Sequence, residues 1–215
     1  ANDNTAIGYE ALGANTTGGF NTAVGRDSLK ANTTGAYNVS VGANSADALT
    51  TGGQNVAIGH AALGSDTKGS KTIAIGESAL FAQNFTSATD TYNVAIGENA
   101  GTAVTTGVAN ILIGGLTGDA LTDADYNTAI GHQALSTDTL GSRSVALGYF
   151  ALRNQNFTSA TNSYNTALGF AAGEAITTGV QNTLIGGLAG DANTTGANNT
   201  TLGYLSLTAN TTGSG

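Results

Sequence analysis

Two histidines, His60 and His132, are the residues of this chain best suited by type to hold a metal ion. They occupy equivalent places in a repeated unit, four units apart. At the spacing of stacked β-coils that is roughly 19 Å, too far for one ion. Copies of one histidine from several chains could meet only at a symmetry axis. The residues at the same place elsewhere, Tyr9, Arg26, Glu77 and Glu98, read instead as a solvent-facing corner. The acids Asp119, Asp123, Asp125 and Asp191 raise calcium, which needs about six to eight oxygens from one compact loop. The glycine-rich nonapeptide of calcium-binding rolls is absent, so a solvated acidic turn is expected. Paired carboxylates could cleave a glycoside, but only in a cleft, and nothing interrupts the repeat to make one. No Gly-x-Ser-x-Gly nucleophile motif occurs. Sequons at Asn15, Asn32, Asn38, Asn84, Asn156, Asn193, Asn198, Asn199 and Asn210 read as turn chemistry in a chain rich in Asn, Thr and Ser. No catalytic residue, metal site or cofactor is expected, and the chain reads as something other than an enzyme.

What would position these residues is a repeat. An aliphatic residue followed by glycine returns at Gly8, Gly25, Gly42, Gly59, Gly76, Gly97, Gly114, Gly131, Gly148, Gly169, Gly186 and Gly203, in steps of 17 residues with two steps of 21. Coils start near 4, 21, 38, 55, 72, 93, 110, 127, 144, 165, 182 and 199, and the longer ones cover 72–92 and 144–164. A fixed period of this length marks units that are stable only when stacked. Seventeen residues are too few for a helical hairpin and suit short strands and turns. The expected fold is therefore all-β, a parallel β-solenoid of about twelve coils forming one domain over 1–215, roughly 55 Å long.

In the unit from Asn21 to Tyr37, Asn-Thr-Ala-Val-Gly reads as a strand of period two that Gly25 ends. A second short strand is expected from Ser28-Leu29, and Asn32-Thr33-Thr34-Gly35 is a turn. Ala124 stands where most units carry that turn glycine. Ile7, Val24 and Val41 are expected to stack inside the coils, faced by Leu12, Leu29 and Leu63. The preceding column, Ala6, Ala23, Ala57, Ala74, Ala95, Ala129, Ala146 and Ala167, would then point outward, and its small size suits close contact with another chain. The other reading places these alanines inside a flattened coil too narrow for anything larger.

Only 9% of residues are charged and the net charge is −8, with six Lys and Arg in all, which argues against nucleic acid. The absence of cysteine excludes disulfides and thiolate metal sites. No apolar run is long enough to insert in a membrane, and no signal peptide is recognisable. The chain is expected to be a segment of a longer protein, extracellular, on a cell surface or on a virion.

A larger period overlies the first: residues 72–143 and 144–215 align without gaps, with roughly half their positions identical. The unit Asn-Thr-Ala-Ile-Gly-x-x-Ala-Leu, at Asn4–Leu12 and Asn127–Leu135, resembles the head repeats of trimeric autotransporter adhesins of the Yersinia adhesin type. The full unit with Asn-Thr-Thr-Gly is also similar to repeats of phage and viral tail-fibre proteins. That resemblance covers essentially the whole chain. It implies a left-handed roll, a homotrimer, and a shaft or head that attaches to a surface receptor or matrix. The coil is longer than in the adhesin head, and stalk, anchor and chaperone domain are missing from the sequence. Two other functions are compatible with the residues. The Thr-Thr pairs beginning at Thr16, Thr33, Thr50, Thr105, Thr177, Thr194 and Thr211 suggest ice binding, which thermal hysteresis would reveal. Open coil ends suggest a self-assembling filament. For partner contact the candidates are Tyr149, Phe150, Phe157, Phe170 and Tyr204, aromatic at or beside the corner column, with packing between coils as their other role.

Overall fold

A computed structural model describes residues 3–215 as a parallel β-solenoid of twelve coils, with no helix among the described residues. The coils fall into two compact units, Ala1–Thr106 and Gly107–Gly215. In the first, β1 (Thr5–Ile7), β2 (Thr22–Val24), β3 (Val39–Val41), β4 (Val56–Ile58), β6 (Ile73–Ile75) and β8 (Val94–Ile96) pair in that order, while β5 (Gly69–Ser70) and β7 (Thr89–Asp90) pair separately. In the second, β9 (Ile111–Ile113), β10 (Thr128–Ile130), β12 (Val145–Leu147), β14 (Thr166–Leu168), β15 (Thr183–Ile185) and β16 (Thr200–Leu202) form the ladder, beside the pair β11 (Gly141–Ser142) and β13 (Thr161–Asn162). Equivalent positions of successive coils stack on one another, as in Thr22 on Val39 and Val24 on Val41.

An ordinary coil has one strand, not two. From Arg26 to Ala31 the backbone turns without extending, because Asp27 and Leu29 adopt positive φ of 59° and 50°. Ala61 and Leu63 repeat this at 54° and 55°. A side chain in this region costs about 1–2 kcal/mol, offset here by burial of the leucine and by coil-to-coil bonds such as Leu29 N–H to Ser45 O at 3.1 Å. At the other corner the glycine column is obligatory. Gly59 has φ +131°, and a Cβ there would stand 2.5 Å from the carbonyl oxygen of Gly76 in the next coil.

These turns run so close to the strand that only a methyl group fits beneath it when a leucine lies opposite. The alanine column therefore faces inward. Ala23, Ala57, Ala74, Ala95, Ala129, Ala146 and Ala167 are at most 1% exposed within their own chain, and of that column only Ala6, in β1, is exposed. This corrects the expected subunit interface: the narrow-coil reading holds, and the neighbouring aliphatics, expected inside, point out. In two coils the large and small residues change places. Where the alanine becomes Leu112 or Leu184, the leucine opposite becomes Gly118 or Gly190. A Cβ at either glycine would meet the facing leucine's Cδ2 at 2.8 Å.

A buried asparagine ladder ties the coils. Asn21 donates from Nδ2 to Gly35 O at 2.9 Å, and its Oδ1 accepts from Asn38 N–H at 2.9 Å. Asn38 continues the ladder to Gly52 O and to Asn55 N–H, both at 3.0 Å. In the two longer coils Thr72 and Ser144 stand in this column, and a polar cluster supplies the missing partners. Gln83 donates to the buried Asp66 Oδ2 at 2.6 Å, while Asp66 Oδ1 accepts from Gly69 and Phe85 N–H. Asp138, Gln155, Gly141 and Phe157 repeat this arrangement in the second unit. The inserted loops are thus fastened from inside.

Candidate interaction surfaces

The strands leave two outward ranks of side chains. In the first unit the inner residue of each strand from β2 to β8 is buried, while its two neighbours, such as Val39 and Val41 or Ile73 and Ile75, are exposed or half-buried. Strands β9 to β15 of the second unit do the same with Ile111 and Ile113, or Thr166 and Leu168. One rank mixes Thr, Val and Ile; the other is entirely Ile, Val and Leu. Parallel pairing in strict register gives the face its regularity. Within each unit these ranks form a periodic face of Thr and aliphatic side chains.

The corner column of the second unit carries aromatics in contact. His132 stacks on Tyr149 with centroids 5.6 Å apart, and Tyr149 stacks on Phe170 at 5.5 Å with planes 2° apart. Phe150 touches Tyr149 at 3.8 Å, and Arg153 lies 4.1 Å over its ring while pairing with Glu174 at 2.7 Å. Tyr204 is 73% exposed, and a Cβ at Gly187 would lie 3.4 Å from its ring edge. Phe157 departs from the expected contact group. It is only 6% exposed, because the amide bonded to Asp138 draws the base of the inserted loop inward.

The remaining candidates are placed as follows. His60 Nδ1 lies 3.7 Å from Glu77, and no group of three His, Cys, Asp or Glu suited to a metal occurs among the described residues. Burial pushes the Asp119 carboxyl up, opposed by a backbone hydrogen bond and by His132, and its Oδ1 is enclosed without a partner. Asp191 Oδ1 is enclosed in the same way. In the first unit Lys30 bonds Glu10 at 2.5 Å and holds its carboxyl below the usual range. The sequon asparagines Asn32, Asn38, Asn193 and Asn199 are buried, which excludes them as glycan acceptors in the folded chain. The leading threonines Thr16, Thr33, Thr50, Thr177 and Thr194 spend their hydroxyls on the adjacent coil, as Thr33 does on Thr50 O at 3.1 Å.

One column escaped the sequence reading. The residue before each ladder asparagine turns outward at positive φ: Phe20, Tyr37, Tyr92, Tyr126 and Tyr164 are exposed aromatics there, with Lys71 and Arg143 among them. Phe20 stacks on Tyr37 at 5.0 Å, Lys71 lies 5.1 Å from the Tyr92 centroid, and Arg143 lies 5.0 Å from that of Tyr126. The signal was the 17-residue recurrence of Tyr or Phe immediately before Asn. No family model, curated protein or solved structure matches this chain.

Proposed function

We propose that the chain is a structural and adhesive repeat region of an extracellular, cell-surface or virion fibre, working as a homotrimer that presents corner side chains and inserted loops to a target surface. The observation that carries this reading is the double rank of β-branched and aliphatic side chains on every ladder strand. Two residues on each of the six ladder strands of a unit, exposed or half-buried, offer a repeating surface for close packing. The occupant that fits is another copy of the same strand face, because only an equally periodic surface matches it coil for coil. The resemblance to adhesin and tail-fibre repeats agrees with this, and left-handed winding belongs to the same proposal.

The paired substitutions Val56→Lys and Ile75→Lys test it. Both residues point outward, so the coil interior is untouched. The expected result is dissociation to single chains with an unchanged circular dichroism spectrum. Retention of the assembly with lysines on the face would refute the proposed contact.

A further inference from the structure

We propose that Arg143, flanked by Tyr126 and Tyr164, binds the carboxylate of an acidic sugar unit in a polysaccharide. The proposal deepens the surface-attachment reading and rests on it.

The two 72-residue repeats provide an internal comparison. In the first unit Lys71 donates from Nζ to Asp90 Oδ2 at 2.6 Å and to the Tyr92 hydroxyl at 3.1 Å. Asp90 lies in the inserted loop, so the chain's own carboxylate occupies the cation beside the tyrosine. Seventy-two positions on, Lys71 becomes Arg143, Asp90 becomes Asn162 and Tyr92 becomes Tyr164. Arg143 donates through Nη1 to Asn162 Oδ1. The loop keeps its hydrogen bond to the corner residue, but the negative charge is gone.

What remains is a cation without a counter-charge. Among the described residues no carboxylate lies within ion-pairing distance of Arg143. The adjacent acid, Asp125, directs its Oδ1 to the Val108 amide at 2.8 Å. A guanidinium presents five donors in a planar fork that fits a carboxylate by two parallel bonds, and Asn162 takes only part of that capacity. The exchange of Lys for Arg thus widens the donor set at the place where the internal acceptor loses its charge. Tyr126 and Tyr164, in the coils before and after, are exposed and supply apolar ring surface with a hydroxyl at its edge. A carboxylate for the fork together with C–H and hydroxyl groups for the tyrosines describes a hexuronate unit better than a bare anion. One exposed ion pair binds weakly, so repeated sites on an assembled fibre are what would make attachment firm.

The test is retention of the purified chain on immobilised polygalacturonate, with dextran and dextran sulfate as controls. The Asn162→Asp variant rebuilds the internal carboxylate seen in the first unit, and Arg143→Gln removes the fork. Asp90→Asn opens the equivalent place at Lys71. Expected are retention on polygalacturonate and not on dextran, at least a several-fold loss in Asn162→Asp and Arg143→Gln, and a gain in Asp90→Asn, with melting temperatures unchanged. Equal retention of wild type and Asn162→Asp would overturn the proposal, as would retention on dextran sulfate alone. Sedimentation of the same samples separates the two readings. A single chain that binds through Arg143 sinks the trimeric fibre and keeps this site, whereas a trimer that ignores polygalacturonate sinks this site and keeps the fibre.

Discussion

The exchange of volume across the coil interior yields the sharpest stability test. Leu184 is fully buried beneath its strand, and Gly190 lies opposite with φ +61°. Leu184→Ala alone removes a packed side chain and leaves a cavity, at a cost of about 2–5 kcal/mol. Gly190→Leu alone places a Cβ 2.8 Å from Leu184 Cδ2 and 3.1 Å from Cδ1, so overpacking costs about 1–3 kcal/mol, in addition to roughly 1–2 kcal/mol for a side chain at positive φ. The double variant recreates Ala23, Leu29 and Asn32 of the second coil, where Leu29 is already accommodated at φ 50° with no exposure. Only the backbone cost should persist. The coupling between the two substitutions is then on the order of 3 kcal/mol, the upper range for residues in contact. Denaturant midpoints of the wild type, both singles and the double close the cycle. Strictly additive losses would refute the claim that these positions share one volume.

Two further outcomes follow from the buried polar groups. Asn127 donates to Gly141 O and accepts from Ser144 N–H, both at 2.9 Å, so Asn127→Ala leaves two enclosed backbone groups without partners. A loss of about 2–6 kcal/mol is expected, against under about 0.5 kcal/mol for Ser159→Ala, an exposed residue at ordinary φ, as read from denaturant midpoints. For Asp119, burial raises the folded-state pKa, so its contribution to stability is fully present below the unfolded value and is lost as pH rises through the folded one. Asp119→Asn should therefore raise the melting temperature at pH 7 and leave it nearly unchanged at pH 3. A lowered melting temperature at pH 7 would contradict that account.

The period, the coil count and the two longer coils were legible because glycine is obligatory at one corner of every coil. From Gly8 to Gly186 a Cβ in this column would collide with the next coil's backbone, and Gly203 keeps the positive φ, so the sequence displays the column without interruption. The direction of the strand was not legible. Alternation shows that Ala23 and its neighbours Thr22 and Val24 face opposite ways, but not which face is inside. The choice was made by the turn from Arg26 to Ala31, whose residues at positive φ bring Leu29 close beneath the strand. Leucine at φ 50° runs against local preference, so Ser28-Leu29 read as a strand. Phe157 was misplaced for a related reason: the inserted loop is held from inside by Asp138. The recurrence of Asp66 and Gln83 as Asp138 and Gln155, each pair 17 residues apart, was the available clue. The tyrosines before the ladder asparagines gave a weaker signal, because that column also holds Gln54, Lys71, Ala109, Arg143, Gln181 and Asn198.

The account turns on whether the strand face meets copies of itself. Sedimentation equilibrium of the unmodified chain is the direct measurement. The proposed homotrimeric fibre predicts a mass of three times 21.1 kDa, maintained on dilution. A mass of 21.1 kDa throughout, with the strand content intact, would contradict it.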